Sequence, residues 1–176
     1  MVKRQELMLV FLVPIGVSLA GWIIPAQAVD PFEVVEAVLC ERVEERECIA
    51  PKKEEMKFSA NDGQVCLLTR IKSETDVDLF YVWYHQYRLR EQNISESEVV
   101  ERFLRAFRGV GGESEKTIFK LPKSFTLGIK LSARPSPGYR TWSCKRIVPS
   151  LHQGKWAVKI LDSSGKVYEA LEFDVG

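Results

Sequence analysis

The chain has 176 residues, of which 45% are hydrophobic, and its formal net charge at pH 7 is +1. A nearly neutral chain argues against a protein that binds nucleic acid through bulk electrostatic attraction. The length suits one ordinary domain that buries a core of its own, and a second domain is not needed.

The first 28 residues have the three parts of a secretory signal peptide. Lys3 and Arg4 form a basic start, residues 7–24 form an apolar run, and Ala26 and Ala28 form a cleavage site. The alternative is an uncleaved membrane anchor, because the run approaches the spanning minimum of about 17–20 residues. We predict cleavage, an exported mature domain that is periplasmic or extracellular, and membrane contact only through an uncleaved leader.

The mature domain, residues 29–176, carries four cysteines. An even number of cysteines in an exported chain predicts two disulfides. Cys40 and Cys48 flank the charged, turn-like segment "ERVEERE", whereas Cys66 and Cys144 each lie inside a predicted strand. Among the three connectivities we favour 40–48 and 66–144. A zinc site is the weaker alternative, because no C-x-x-C or paired histidine spacing is present.

Short apolar runs alternate with turn signals along the mature domain, which is typical of an all-β sandwich. Residues alternate between two faces in the later strands, as in Phe125, Leu127, Ile129 and Leu131, in Trp156, Val158 and Ile160, and in Val167, Leu171, Phe173 and Val175. The segment Asp162–Gly165 joins the last two strands as a hairpin. The predicted strands are 34–43, 64–72, 78–88, 116–121, 125–133, 139–148, 155–162 and 166–175.

The predicted strand 78–88 is apolar on both faces, so its periodicity leaves its orientation open. If Tyr81, Trp83 and His85 face outward beside the strand at 139–148, they form an aromatic and basic strip suited to sugar rings or an anionic polymer. If they face inward, they belong to the core, and a strand buried on both sides gives the same pattern. We favour the core interpretation.

A helix interrupts the β pattern. Ser95 and Glu98 form a capping box before apolar residues at helical spacing. We predict an amphipathic helix over residues 96–108, within an insertion at about 90–115, that covers one end or edge of the sandwich.

The stretch "YRTWSCKRI", residues 139–147, contains a serine, a cysteine, a lysine, two arginines and a tryptophan within nine residues. Trp142 and Cys144 are the better candidates for burial, which predicts an outward polar row of Thr141, Ser143 and Lys145. A nucleophilic Ser143 needs a base, but a residue two positions along a strand is about 6.5–7 Å away, and the S-x-x-K spacing is absent. The candidate binding residues are Tyr81, Trp83, His85, Tyr139, Arg140, Thr141, Ser143 and Lys145.

No pattern of a catalytic, cofactor or metal site is present. The chain has no Gly-rich phosphate loop, no HExxH and no GxSxG, and its two histidines, His85 and His152, are far apart. We therefore predict no catalytic residue, no cofactor, no metal and no enzymatic activity.

Charge is unevenly distributed along the mature domain. Residues 116–161 contain ten lysines and arginines and no acid, whereas residues 29–115 contain 19 acids and 12 bases. The bases either pair across the sheets with the acidic N-terminal strands or gather on one face and attract an anionic partner. The sequence leaves both alternatives open.

Three stretches resemble the bacterial family called domain of unknown function 2914: "FYVWYHQ" (80–86), "YRTWSCKRI" (139–147) and "GKWAVKILDSSGKVYEALEFDV" (154–175). Two departures are Tyr81, where members often carry histidine, and the insertion at 90–115. The resemblance implies an extracytoplasmic immunoglobulin-like sandwich with no established activity. The matching residues are Arg140, Thr141, Ser143, Lys145, Gly154, Trp156, Val158, Asp162, Gly165, Phe173 and Val175.

Together these features predict an exported, immunoglobulin-like antiparallel β-sandwich of about seven or eight strands with a short helical insertion. Its expected function is that of a non-catalytic binding or accessory module of the bacterial envelope, whose partner is an envelope protein or a glycan. The alternative is a module that binds a glycan or anionic polymer through the aromatic and basic strip. A hydrolase of unknown type is the third hypothesis.

Overall fold

The structure is a computed structural model that describes residues 30–52, 55–109 and 125–176. The predicted leader at 1–28 and the predicted strand at 116–121 lie outside the described residues. The elements in chain order are β1 (Glu33–Glu44), β2 (Glu47–Lys52), β3 (Lys57–Phe58), β4 (Gln64–Ser73), β5 (Val77–His85), α1 (Gln86–Glu91), α2 (Glu96–Gly109), β6 (Thr126–Ala133), β7 (Ser136–Arg146), β8 (Gly154–Leu161) and β9 (Val167–Val175).

The strands form two sheets packed face to face. The four-stranded sheet has the order β2-β1-β4-β7, and the five-stranded sheet has the order β3-β9-β8-β5-β6. Neighbouring strands are antiparallel except β3 and β9, which run parallel. Because β4 and β7 lie in one sheet while β5, β8 and β9 lie in the other, the strand arrangement is that of an immunoglobulin-like sandwich. The predicted fold class is confirmed.

The core lies between the two sheets and follows the two-residue alternation of the strands. Leu67 and Ile71 on β4 face Trp83 on β5 and Trp156 on β8, and all four are fully buried. Phe173 on β9 packs against both tryptophans, with ring centres 6.0 and 6.4 Å away. The burial predicted for the alternating residues of β8 is confirmed.

Helix α2 forms a third layer over the outer face of the five-stranded sheet. Val99 and Phe103 on α2 pack against Phe80, Val82 and Tyr84, the outward side chains of β5. The helix therefore covers a face, and the prediction that it covers an end or edge is wrong. Its position also explains why β5 is apolar on both sides: one set of side chains enters the core and the other lies under the helix.

Polar contacts fix the start of α2 on the sheet. The Ser95 hydroxyl accepts a hydrogen bond from the backbone N–H of Glu98, as the predicted cap requires. The Glu96 carboxylate accepts from the Tyr84 hydroxyl at 2.7 Å and from Lys159 at 2.8 Å. These contacts place the helix N-terminus above β5 and β8.

Several strand boundaries and orientations differ from the predicted ones. The strand predicted at 78–88 ends at His85, because its imidazole Nδ1 accepts the Arg88 N–H and caps α1. The hairpin strand β2 and the two-residue strand β3 carry too little alternation to be predicted. Val167, predicted to be buried, is 44% exposed. The register of β8 and β9 shifts next to it, between Ile160 and Leu161, which changes the face on which Val167 lies.

The contact between α2 and the sheet depends on Gly128 of β6. A methyl group at this position would meet the Phe103 ring at 1.7 Å. We expect Gly128→Ala to lower the free energy of unfolding by about 1–3 kcal/mol, because the helix must move away from the sheet. Urea denaturation followed by circular dichroism measures the change.

Gly138→Ala is the matched control on another strand. The nearest atom to its added methyl group is Nε of the flexible Arg70 side chain, at 3.4 Å. Its effect should stay within about 0.5 kcal/mol. Equal losses in the two variants would contradict the role of Gly128.

Candidate functional site

The row of polar side chains on β7 faces the core, opposite to the prediction. Thr141, Ser143 and Lys145 are buried, whereas Trp142 is 41% exposed. The strand register places Ser143 opposite Leu67 and Trp142 opposite Leu68. Because residues that pair across two strands share a face, Ser143 enters the core with Leu67. The predicted burial of Trp142 and the outward row of Thr141, Ser143 and Lys145 are wrong.

Aromatic residues of the facing sheet provide partners for the inward hydroxyl groups. The Trp83 indole N–H donates to the Ser143 hydroxyl at 3.0 Å. The Tyr81 hydroxyl is hydrogen-bonded to the Thr69 hydroxyl, which donates to the Thr141 carbonyl oxygen. Burial raises the pKa of Tyr81 above its usual range, even though its threonine contacts act in the opposite direction. These bonds satisfy polar groups that burial would otherwise leave without partners.

Lys145 makes the third contact between β7 and the facing sheet. Its ammonium nitrogen lies 5.3 Å from the centre of the Trp156 ring, which is the range of a cation–π interaction. Burial lowers the pKa of Lys145. Together with Ser143 and Thr141, this residue connects the four-stranded sheet to tryptophan and tyrosine side chains of the five-stranded sheet.

The other candidate residues do not assemble an exposed strip either. Tyr81 and Trp83 are fully buried, which agrees with the favoured core interpretation of this strand. His85 is also buried, and its Nε2 contacts the Gln153 carbonyl oxygen at 2.8 Å. Tyr139 is half-buried against the core, so only Arg140 of the eight residues is exposed. The aromatic and basic strip is therefore not formed.

Three of the described lysines and arginines of the acid-free stretch pair with acids. Lys130 pairs with Asp78 at 2.6 Å, and Lys159 pairs with Glu96 at 2.8 Å. Arg140 pairs with Glu47 of β2. For these bases the structure agrees with pairing to the acidic N-terminal half, and it gives no support to a single anion-attracting face.

Both predicted disulfides are present. Cys40 is bonded to Cys48, and Cys66 is bonded to Cys144. The first joins β1 to β2, and the second joins the paired strands β4 and β7. The described residues contain no free cysteine.

The β1–β2 hairpin lies over the outer face of the four-stranded sheet. Glu47 at the start of β2 reaches Arg140 on β7, although β1 and β4 lie between these strands in the sheet. Cys66 and Leu68 point outward from β4, and yet they are 0% and 7% exposed. The hairpin therefore covers part of this face and leaves Trp142 at the border of the covered area.

The Asp162 turn between β8 and β9 is a structural element. The Asp162 Oδ1 atom accepts hydrogen bonds from the N–H groups of Ser164, Gly165 and Lys166 at 2.8 to 3.1 Å. Burial opposes ionisation, but hydrogen bonds from the Ser164 hydroxyl, from the N–H groups of Lys166 and Ser164 and from the Tyr168 hydroxyl outweigh it and lower the pKa of Asp162. Gly165 has φ of +95°, a conformation that favours glycine. The D-x-x-G segment therefore closes the hairpin.

Two other kinds of site are absent from the described residues. In ranges 30–52, 55–109 and 125–176, no three histidine, cysteine, aspartate or glutamate residues are grouped so that they would hold a metal ion. None of the helices in this part of the chain has the length and apolar composition needed to cross a membrane.

Comparison with known proteins supports the family resemblance. The family described as "Protein of unknown function (DUF2914)" matches residues 115–175, which include β7, β8 and β9. The stretch at 80–86 lies outside the matched range. No curated protein matches the chain.

Two solved structures are similar over most of the chain. An immunoglobulin-like protein from Pseudomonas aeruginosa has 11% identity and a TM-score of 0.45, with coverage of 85% of this chain and 99% of its own. The Pseudomonas fluorescens alkylpurine DNA glycosylase AlkC, bound to DNA with an abasic site analogue, has 8% identity and a TM-score of 0.40. That match covers 82% of this chain and 30% of the glycosylase.

The Ser143 hydroxyl is the acceptor for a buried N–H, and this role is testable. We expect Ser143→Ala to lower the free energy of unfolding by about 1–3 kcal/mol, because the Trp83 indole N–H then has no acceptor in the core. Urea denaturation of the oxidised protein measures the loss.

Ser132→Ala is the control, since Ser132 is exposed and donates to Asp78 at 2.8 Å. Its effect should stay within about 0.5 kcal/mol. A Ser143 variant as stable as the Ser132 variant would show that the hydroxyl has no structural role.

Proposed function

We propose that this protein, whose C-terminal strands match the DUF2914 family, is an exported and non-catalytic binding module of the bacterial cell envelope. Two features support export. The first 28 residues have the pattern of a cleavable leader, and all four cysteines are in disulfides, which persist in oxidising compartments.

The placement of the reactive side chains supports a binding function over catalysis. Ser143, the candidate nucleophile, is 4% exposed, and its hydroxyl already accepts the Trp83 N–H. Lys145 lies in the core against the Trp156 ring. A nucleophile needs access to a substrate as well as a neighbouring base, and this position gives little access. The burial of Ser143 and Lys145 therefore gives the hydrolase hypothesis no support.

The observation that carries the proposal is the exposed Trp142 on the outer face of β7. Tryptophan and arginine are enriched at the centres of protein interfaces, and Arg140 lies on the same face two residues away. The charge of Arg140 is balanced by Glu47, and that of Arg70 is balanced by Glu36 at 3.5 Å. An aromatic centre among balanced charges fits a protein partner better than an anionic polymer.

Export is tested by producing the full chain in a bacterial host and fractionating the cells. We expect the protein in the periplasmic or secreted fraction, with a mature N-terminus at Val29 by mass spectrometry. Thiol titration of this material after unfolding should find no free thiol, because both disulfides have formed. Retention in the cytoplasm with four free thiols would refute export.

The contact surface is tested by capturing proteins from an envelope extract on the immobilised mature domain. We expect Trp142→Ala to reduce recovery of the specific partner at least about tenfold, as loss of an interface hot spot of about 2 kcal/mol or more would. Quantitative mass spectrometry measures recovery.

Tyr87→Ala is the matched control, because Tyr87 is a 58% exposed aromatic residue on α1, away from the four-stranded sheet. The amount of partner captured by the Tyr87→Ala domain should equal the amount captured by the unmodified domain. If the Trp142→Ala domain captures as much partner as the Tyr87→Ala domain, the assignment of this surface is overturned.

A further inference from the structure

Three of the four cysteines form one row across adjacent strands of the four-stranded sheet. Cys40 on β1 is directly opposite Cys66 on β4, and Cys66 is directly opposite Cys144 on β7. Residues that are opposite in a sheet have side chains on the same face. Cys66 therefore lies between two cysteines, one of which is its present partner, Cys144.

The Cα spacing of Cys66 and Cys40 suits a disulfide, and the bond requires β1 to move toward β4, because the Cβ atoms of such a pair are about 5.5 Å apart against about 3.5–4.5 Å in a disulfide. The Cα atoms of Cys66 and Cys144 are 4.0 Å apart, the close spacing of an antiparallel pair that is not hydrogen-bonded to each other. The N–H and C=O groups of Cys66 then point toward β1, and a pair of that kind has Cα atoms about 5.5 Å apart. This value lies inside the disulfide range of about 4.4–6.8 Å.

The Cys66 sulfur lies next to β1, on the side of Cys40. The Cys66 sulfur lies 4.0 Å from the carbonyl oxygen of Glu41, the neighbour of Cys40 on β1. Cys40 and Cys66 are fully buried, whereas Cys48 and Cys144 are partly exposed. Each disulfide therefore joins one fully buried cysteine to one partly exposed cysteine, and the two buried cysteines are opposite each other in the row.

We propose that the four cysteines are a disulfide relay, which accepts electrons from an external dithiol at Cys48 and delivers them to Cys144. A thiolate of the dithiol attacks the Cys48 sulfur, breaks the bond to Cys40 and releases the Cys40 thiolate. That thiolate attacks the Cys66 sulfur, forms a Cys40–Cys66 disulfide and releases the Cys144 thiolate.

The second thiol of the dithiol completes the reaction. Its thiolate attacks the external molecule's own sulfur in the mixed disulfide, which releases the Cys48 thiolate and leaves the external molecule as an intramolecular disulfide. The two protons of the dithiol end on Cys48 and Cys144, so that one protein disulfide has been reduced and one remains. The β1–β2 hairpin loses its covalent bond at Cys48. A thiol appears at Cys144, two residues after Trp142.

The relay is tested on the native protein by limited reduction with dithiothreitol, rapid alkylation and mapping of disulfides by mass spectrometry. We expect molecules with one remaining disulfide to carry label on Cys48 and Cys144 and a Cys40–Cys66 bond. Labels found only as the original pairs, on Cys40 with Cys48 or on Cys66 with Cys144, would overturn the proposal.

Two variants isolate the internal step without any external thiol. In Cys48→Ser the free thiol of Cys40 should reach Cys66, so that label appears on Cys144 with a Cys40–Cys66 disulfide. In the matched control Cys40→Ser, the free thiol is Cys48, which is outside the row, and the label should stay there. Label confined to Cys40 in the first variant, or equal labelling of Cys144 in both, would overturn the relay.

Discussion

The hydrogen bond from the Trp83 indole to the Ser143 hydroxyl is the contact on which the orientation of β7 depends. A buried N–H without an acceptor costs about 1–3 kcal/mol, so the tryptophan at the centre of β5 requires a polar group opposite it. Ser143 provides that group, and Thr141 and Lys145 follow it inward because they lie two residues away on either side. The same alternation turns Trp142 and Cys144 outward. The surface of the four-stranded sheet is thus determined by a polar contact inside the sandwich.

Alternation predicts the orientation of a strand well when its inner face is uniformly apolar. Trp156, Val158 and Ile160 on β8 satisfy this condition, and all three are buried as predicted. On β7 the inner residues are a threonine, a serine and a lysine, while the outer face carries a tryptophan. Ranking residues by hydrophobicity therefore reverses this strand, because the ranking ignores partners that only the facing sheet supplies.

The sequence nevertheless contained a signal for the correct orientation of β7. On β4, Val65, Leu67 and Ile71 alternate with Cys66, which predicts that Cys66 lies on the outer face. A disulfide between paired strands joins residues on the same face, so the favoured 66–144 connectivity also places Cys144 outside. The orientation of β7 follows from the sequence only when the alternation of β4 and the 66–144 disulfide are considered together. The sequence has no such signal for the position of α2. Both faces of β5 are apolar, and periodicity does not show which face packs in the core and which lies under the helix.

The polar residues of β7 that resemble the family pattern are therefore residues of the fold. Ser143 and Lys145 contact tryptophans of the facing sheet, Thr141 is hydrogen-bonded to Tyr81 of that sheet, and Asp162 closes the last hairpin. Residues in these roles constrain the shape of the domain and leave its outer surface free to differ. Under the proposed binding function, recognition depends on the residues at the outer face of the four-stranded sheet. That face is formed by Trp142, by the hairpin that borders it and by the disulfide that holds the hairpin. The oxidation state of Cys48 and the exposure of Trp142 are therefore properties of one structural unit.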